Sequence, residues 1–299
     1  MKVKQLVLMG IIMLGVKNSN AQQIFSISQY VQHNFIYNPA AAGANEYASV
    51  GATYKKMWSG IEGGPQTTIL FGDKYFKNSK AGLGIVLYND VTGPISRTGG
   101  DINLSYSIPF SDKKRLMFGV AGQFLQESID KAQVEKYIPG DPLLAGPGSY
   151  FTGDAAAGVY YTSSTLNLGF SAKQLVQSKL DFIKSSTMEE GRLYRHYYLM
   201  GSYNWKTDED NVIVPNFIVK LSAHAPVDIE AGCRIEHKDL IWGGFNFHYK
   251  QNFSAFAGIK LNHKLAIGYA YDQYTTPLST FSAGGGAHEI MLRLYFIKK

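Results

Sequence analysis

Apolar and polar residues alternate along most of the chain. In Ile102–Phe110, the residues Ile102, Leu104, Tyr106 and Ile108 share one parity, while Asn103, Ser105 and Ser107 take the other. The stretch 227–235 sets Val227, Ile229, Ala231, Cys233 and Ile235 against Asp228, Glu230, Gly232 and Arg234. Leu166, Leu168, Phe170 and Ala172 oppose Asn167, Gly169, Ser171 and Lys173; Leu265, Ile267, Tyr269 and Tyr271 oppose Lys264, Ala266, Gly268 and Asp272. A strand turns successive side chains to opposite faces, so each segment has one apolar and one polar face. The pattern predicts fourteen strands: 46–57, 65–76, 81–90, 98–110, 114–127, 151–162, 165–173, 194–206, 211–221, 227–236, 239–249, 252–261, 264–273 and 287–297. The weakest is 211–221, because Pro215 has no N–H to give a ladder.

These segments take more than half the chain, against ~20–25% strand in ordinary soluble domains. A transmembrane barrel is the architecture in which nearly everything is strand. The connections agree. After the even-numbered strands come short polar turns at 77–80, 111–113, 163–164, 207–210, 237–238 and 262–263. After the odd-numbered strands the loops are longer on average, at 58–64, 91–97, 128–150, 174–193 and 274–286, with 222–226 and 250–251 as short exceptions. Tight periplasmic turns alternating with long surface loops are the topology of an outer-membrane barrel. The prediction is an all-β, antiparallel transmembrane barrel of about 14 strands. Tyr75-Phe76, Tyr106, Phe110, Tyr160-Tyr161, Tyr197-Tyr198, Trp205, Trp242, Tyr249 and Tyr295-Phe296 lie near strand ends, where aromatic girdles are expected.

Composition narrows the rest. The single Cys among 299 residues excludes a disulfide scaffold or a cysteine zinc cluster, and no apolar run reaches the ~18 residues a spanning helix needs. Lys2 and Lys4, the apolar stretch Leu6–Val16 and the small residues Ser19 and Ala21 read as a signal peptide over 1–21, cut after Ala21. Its removal takes three lysines and no acid, leaving 26 basic against 23 acidic residues, a net charge of +3. That is no footprint for nucleic acid, which requires clustered Lys and Arg on one face. Residues 22–45, with Asn38-Pro39 and a run of small residues, predict an irregular periplasmic or lumenal segment ahead of a barrel spanning 46–299.

Several short blocks occur in a recognisable order: Ser28-Gln29-Tyr30; Asn38-Pro39-Ala40 with Ala42-Gly43; Trp58, Gly60, Gly63 and Pro65-Gln66-Thr67; Gly82-Leu83-Gly84; Asn89-Asp90; and Gly93-Pro94. Later come Asp141-Pro142, Asp154, Pro215 with Lys220, Tyr269-Ala270-Tyr271-Asp272 and His288-Glu289-Ile290. This ordered set resembles the PorP/SprF family, outer-membrane proteins of the type IX secretion and gliding machinery of Bacteroidota. The resemblance implies a barrel that partners secreted surface proteins, often large adhesins, during export or retention. It also implies contact with periplasmic components of the same machine.

The residues suggest little chemistry. His288-Glu289 lacks the second histidine of a His-Glu-x-x-His site, and there is no Gly-x-Ser-x-Gly nucleophile motif. Glu289 shares a face with Arg293 and is expected to pair with it in the lumen. Asp208-Glu209-Asp210 has the oxygens for Ca²⁺ but not the spacing of a dedicated loop. No catalytic residue, metal site or cofactor is predicted. Asp101, Asn103, Asp228, Glu230, Arg234, Asn246, His248, Lys250, Lys260, Lys264 and Asp272 fall on inward faces, making the lumen polar and of mixed sign. Such a lumen disfavours the alternative reading, a channel for a hydrophobic or small ligand. The loops at 128–150 and 174–193 carry Ile129, Val134, Tyr137, Ile138, Leu143, Leu144, Leu175, Val176, Leu180, Phe182 and Ile183. Apolar residues on surface loops suggest docking of a partner or packing over the barrel mouth.

Overall fold

In the computed structural model, residues 25–141, 144–180, 191–223, 225–276 and 285–296 are described. Fourteen antiparallel strands form a closed barrel. They are β1 (Ala48–Lys56), β2 (Gln66–Phe76), β3 (Ala81–Thr92), β4 (Ile95–Ser111), β5 (Lys114–Ile129), β6 (Ser149–Ser163) and β7 (Leu166–Lys173). Then come β8 (His196–Tyr203, resuming as Trp205–Lys206), β9 (Asn211–Ser222), β10 (Asp228–His237), β11 (Ile241–His248), β12 (Asn252–Leu261), β13 (Leu265–Tyr274) and β14 (Ala287–Phe296). Each strand pairs with its sequence neighbours, and β14 closes on β1 from Ala48 opposite Phe296 to Lys56 opposite His288.

The burial pattern is that of a membrane wall. On β5 the outward Val120 is 59% exposed, whereas the inward Asn103 of the adjoining β4 is 1% exposed. Pro215 is accommodated because the β8–β9 ladder is interrupted at Asn204: pairing runs to Asn216 opposite Ser202 and resumes at Ile213 opposite Trp205. Two expectations change. The 91–97 loop reduces to Gly93-Pro94, because β3 and β4 stay paired as far as Thr92 opposite Ile95 and Gly93 takes the φ of +55° that the tight turn needs. The aromatic doublets divide between two environments. Phe76, Tyr197 and Phe296 face outward, while Tyr160, Tyr198, Tyr295 and the nearby Trp242 are buried inside. Alternation forces that division, since adjacent residues of a strand cannot share a face.

The lumen is filled by the chain itself. Residues 25–45 run inside the wall as short helical turns, Tyr30–Gln32, α1 (Asn34–Tyr37) and Pro39–Ala41. The first described residue, Phe25, packs on Tyr88 toward the loop end, and Ala44 meets Arg115 at the turn end. Tyr30, Phe35, Ile36 and Tyr37 pack against Ile69, Phe71, Val86, Met117, Met200 and Ile218 of the wall. Glycines make the close approach possible. A Cβ on Gly119 would lie 2.3 Å from the Ala40 nitrogen, and one on Gly82 would lie 2.0 Å from the Ala42 carbonyl oxygen.

Gly119→Val therefore collides with plug backbone. The barrel is expected to insert normally, but the segment should be expelled or strained by about 1–3 kcal/mol. In planar bilayers the variant should conduct ions where the unaltered barrel does not; equal conductance would refute the packing.

Candidate functional site

Toward the loop end the plug is gripped by buried charges. Glu289 accepts main-chain N–H groups from Ser28 at 2.7 Å and from Gln29 at 3.2 Å. The Ser28 hydroxyl donates to Asp272 at 2.7 Å, and Lys55 donates to that hydroxyl at 2.8 Å while pairing with Asp272 at 2.7 Å. Asn246 donates to the Ser28 carbonyl at 2.7 Å and to Glu230 at 3.0 Å. The Gln29 amide oxygen accepts from Trp242, and the Tyr30 hydroxyl donates to Asn216 at 2.6 Å. The plug backbone thus finds partners on side chains of the wall, as irregular buried backbone must.

A second group of contacts holds the rest of the segment. Asn38 donates to the Val159 and Phe170 carbonyls at 3.0 and 3.3 Å, and its own oxygen accepts from the Ala40 amide, starting the turn at Pro39. Lys173 donates to the Ile36 carbonyl at 3.1 Å and pairs with Asp101 at 2.6 Å; Ser171 and Ser105 donate to the Tyr37 and Ala42 carbonyls. Gly43, at φ +69°, donates to Asp73, which also accepts from Ser49 and lies 3.4 Å from Arg293. Gly84 leaves room for Ala42 and Phe35. Arg115 donates to the Ala44 carbonyl.

Each end of the plug faces a cavity. The loop-end cavity, about 380 Å³, is lined by Phe25, Trp58, Pro65, Thr67, Asp90 and Tyr274 among others. Its corner is tied together by main-chain bonds: Gly93 to Gly63 at 3.0 Å, Met57 to Pro65 at 2.8 Å and Asp130 to Pro94 at 2.8 Å. Asp90 accepts from Thr67 at 2.5 Å. Trp58 is held at φ +52°, a conformation disfavoured for a bulky residue and stabilised here by the surrounding loop. The turn-end cavity, about 260 Å³, is lined by Ala44, Tyr47 and the charged Arg234, Glu236, Asp239, Lys260 and Arg293.

The residues singled out by sequence thus separate into groups. Gln29, Tyr30, Asn38, Pro39, Gly43, Gly84, Asp272 and Glu289 meet at the plug. Trp58, Gly63, Pro65, Asp90, Gly93 and Pro94 meet at the loop-end corner. His288 and Tyr271 lie on the outer face, with the His288 ring against Tyr271 and its Nδ1 2.7 Å from the Tyr269 hydroxyl. His288 and Glu289 therefore face opposite sides of the wall and cannot act on one substrate. Glu289 takes the plug and Lys55 as partners, while Arg293 takes Asp73, correcting the expected Glu289–Arg293 pair. Asp208 accepts from the Asn211 side chain and the Asp210 amide, which hold its carboxyl below the usual range, so its oxygens close a turn.

Among the loop residues, Tyr137 at the end of α2 (Lys131–Tyr137) and Ile138 are 65% and 59% exposed, and Ile129 and Leu144 are half-buried. Leu180 is buried against Leu125 and Leu193. Leu143 and Phe182 lie outside the described residues. Lys55, Asp73 and Arg115 were missed by sequence reasoning, and Lys173 was placed on a polar face with no role. Each is a charge on an inward parity of a strand, and that parity was the available signal.

Among solved structures, a Pseudomonas aeruginosa FadL homologue is similar with a TM-score of 0.50 and 11% identity, over 86% of this chain and 91% of that chain. The Acinetobacter baumannii outer membrane protein Omp33 is similar with a TM-score of 0.49 and 7% identity, over 86% and 100%. At such identities the likeness is one of fold. No curated protein matches the sequence. The model of a family described as type IX secretion system membrane protein PorP/SprF matches residues 19–294.

Glu289→Gln removes the charge that receives two plug amides and sits by Lys55. Urea unfolding of the purified barrel in micelles should show a loss of about 1.5–3 kcal/mol. A cysteine at Ser28, inert to maleimide otherwise, should become reactive in this background; persistent protection would refute the grip.

Proposed function

The chain belongs to the PorP/SprF family of type IX secretion system membrane proteins, and from that premise we propose that it is a plugged surface platform that holds secreted cargo instead of passing it through its lumen. The barrel resides in the outer membrane, and family and fold point to secretion or transport and not to an enzyme. In the proposed orientation the loop end faces the cell surface and the short turns face the periplasm, after export directed by residues 1–21.

The plug carries this reading. Residues 25–45 occupy the lumen through the apolar and polar contacts described above, so an unfolded polypeptide has no free path while the plug stays in place. The loop end, by contrast, offers a formed cavity and exposed apolar groups at Tyr137, Ile138 and Val176. That mouth is the docking surface for an adhesin-like secreted protein, and the turn-end cavity with its charged rim is the contact for periplasmic components of the machine. A channel for a hydrophobic ligand is the lesser alternative, because the passage beneath the loop-end cavity is closed by the gripped plug.

Removing 131–147, which lies between the ends of β5 and β6, should leave the barrel inserted and heat-modifiable on gels while surface-retained cargo falls about tenfold in cell fractionation. Unchanged surface cargo would contradict the platform.

A further inference from the structure

Charge is unevenly distributed around the turn end. Lys74, Lys77 and Lys80 lie on the β2–β3 hairpin and Lys113 and Lys114 on the neighbouring β4–β5 hairpin, and all five are exposed. Asp112 is the one acid on these two turns. Elsewhere on this rim Arg234 pairs with Glu236 at 3.1 Å, Lys238 with Asp210 at 3.5 Å and Lys260 with Asp239, while Lys206 and Lys264 stand singly on separate turns. The five lysines have no such ion pair among the described residues.

Ala81 pairs with Tyr106 and the Ser107 amide donates to the Lys80 carbonyl at 2.8 Å, while β4 and β5 stay paired as far as Ser111 opposite Lys114, so the second turn lies about two strands over and some five residues further along, roughly 20 Å away, a span that neighbouring lipid headgroups cover. The direction of the side chains identifies the surroundings. Lys74 shares the outer face of β2 with Leu70 and Phe76, and its ammonium lies 4.9 Å from the Phe76 ring. Lys114 shares the outer face of β5 with Phe118 and Val120. Tyr106 and Phe110 are exposed on the outer face of β4 between them. Positive charge thus appears where the apolar wall ends, with aromatic rings beside it, at the depth of lipid phosphates.

We propose that this sector is a binding site for anionic phospholipid. The lysine ammonium groups receive the headgroup phosphates, and Phe76, Tyr106 and Phe110 carry the glycerol and upper acyl chains. An acidic protein approaching from the periplasm would meet the turn tips at Lys77, Lys80 and Lys113. It would not meet Lys74 or Lys114, which leave the lipid-facing outer wall beside Phe76 and Phe118, and this favours lipid. The site goes beyond the platform reading and rests on residence in the outer membrane with the turn end toward the periplasm, the orientation proposed above.

The test uses the full-length protein in nanodiscs of phosphatidylglycerol and phosphatidylcholine, released into the gas phase for native mass spectrometry. The retained lipid should be enriched in phosphatidylglycerol. In a variant combining Lys74→Gln, Lys77→Gln, Lys80→Gln, Lys113→Gln and Lys114→Gln, that enrichment should fall about tenfold. A control with Lys206→Gln, Lys238→Gln and Lys264→Gln should keep it. If the fivefold variant does not insert, Lys77→Gln with Lys80→Gln, confined to one turn, should still lower enrichment about threefold. Equal retention of the two lipids by the unaltered protein, or equal enrichment in the fivefold and control variants, would overturn the proposal. So would displacement of the lipid by millimolar inorganic phosphate, which would mark a free-phosphate site, or loss only of a co-purifying acidic protein.

Discussion

Two adjacent main-chain amides, those of Ser28 and Gln29, donate to one buried carboxylate, Glu289, and the interior of the barrel depends on that contact. A fourteen-stranded wall encloses more space than its side chains fill. The space is closed here by irregular chain, whose N–H and C=O groups require partners once water is excluded. Glu289 supplies two, and its charge is balanced locally by Lys55, itself paired to Asp272. Removing one member leaves another charge buried without its counterpart, which is why such groups destabilise so strongly when broken. The apolar contacts of Tyr30, Phe35, Ile36 and Tyr37 contribute burial; the polar contacts set where along the lumen the segment rests.

The wall was legible in the sequence because a membrane barrel constrains both faces of every strand. Lipid requires an apolar outer face, and the lumen admits polar residues, so alternation persists from β1 to β14. Pro215 marked a real weakness, since the ladder breaks opposite it. The interior was legible only in part. Asp272, Glu230 and Asn246 could be assigned inward by parity, but parity does not say what a side chain meets across the lumen. Residues 25–45 have no period, so their course could not be read from pattern. The glycines at 82, 119, 158 and 169 read as wall positions until their missing Cβ atoms are seen to make room for Ala42, Ala40 and Asn38. The aromatic doublets misled for a geometric reason: half of each had to point inward.

The same segment lines both cavities, with Phe25 at the loop-end mouth and Ala44 at the turn-end one. The two faces of the barrel are therefore joined by one continuous stretch of chain as well as by the wall. In the proposed role, with cargo on one side and machinery on the other, this segment is a continuous physical connection between the two faces. Many residues of the blocks that carry the family resemblance fall at the grip and the mouth corner, while Tyr269, Tyr271, His288 and Ile290 lie on the outer wall.

The central claim is that residues 25–45 are a permanent part of the barrel interior. Hydrogen exchange followed by mass spectrometry on the full-length protein in mild detergent tests it directly. The amides of Ser28, Gln29, Ala40 and Gly43, each bonded to a side-chain oxygen on the wall or within the plug, should exchange as slowly as those of the central strands. Exchange of that peptide within seconds, while the strands remain protected, would show a loose tail in an open barrel and contradict the account.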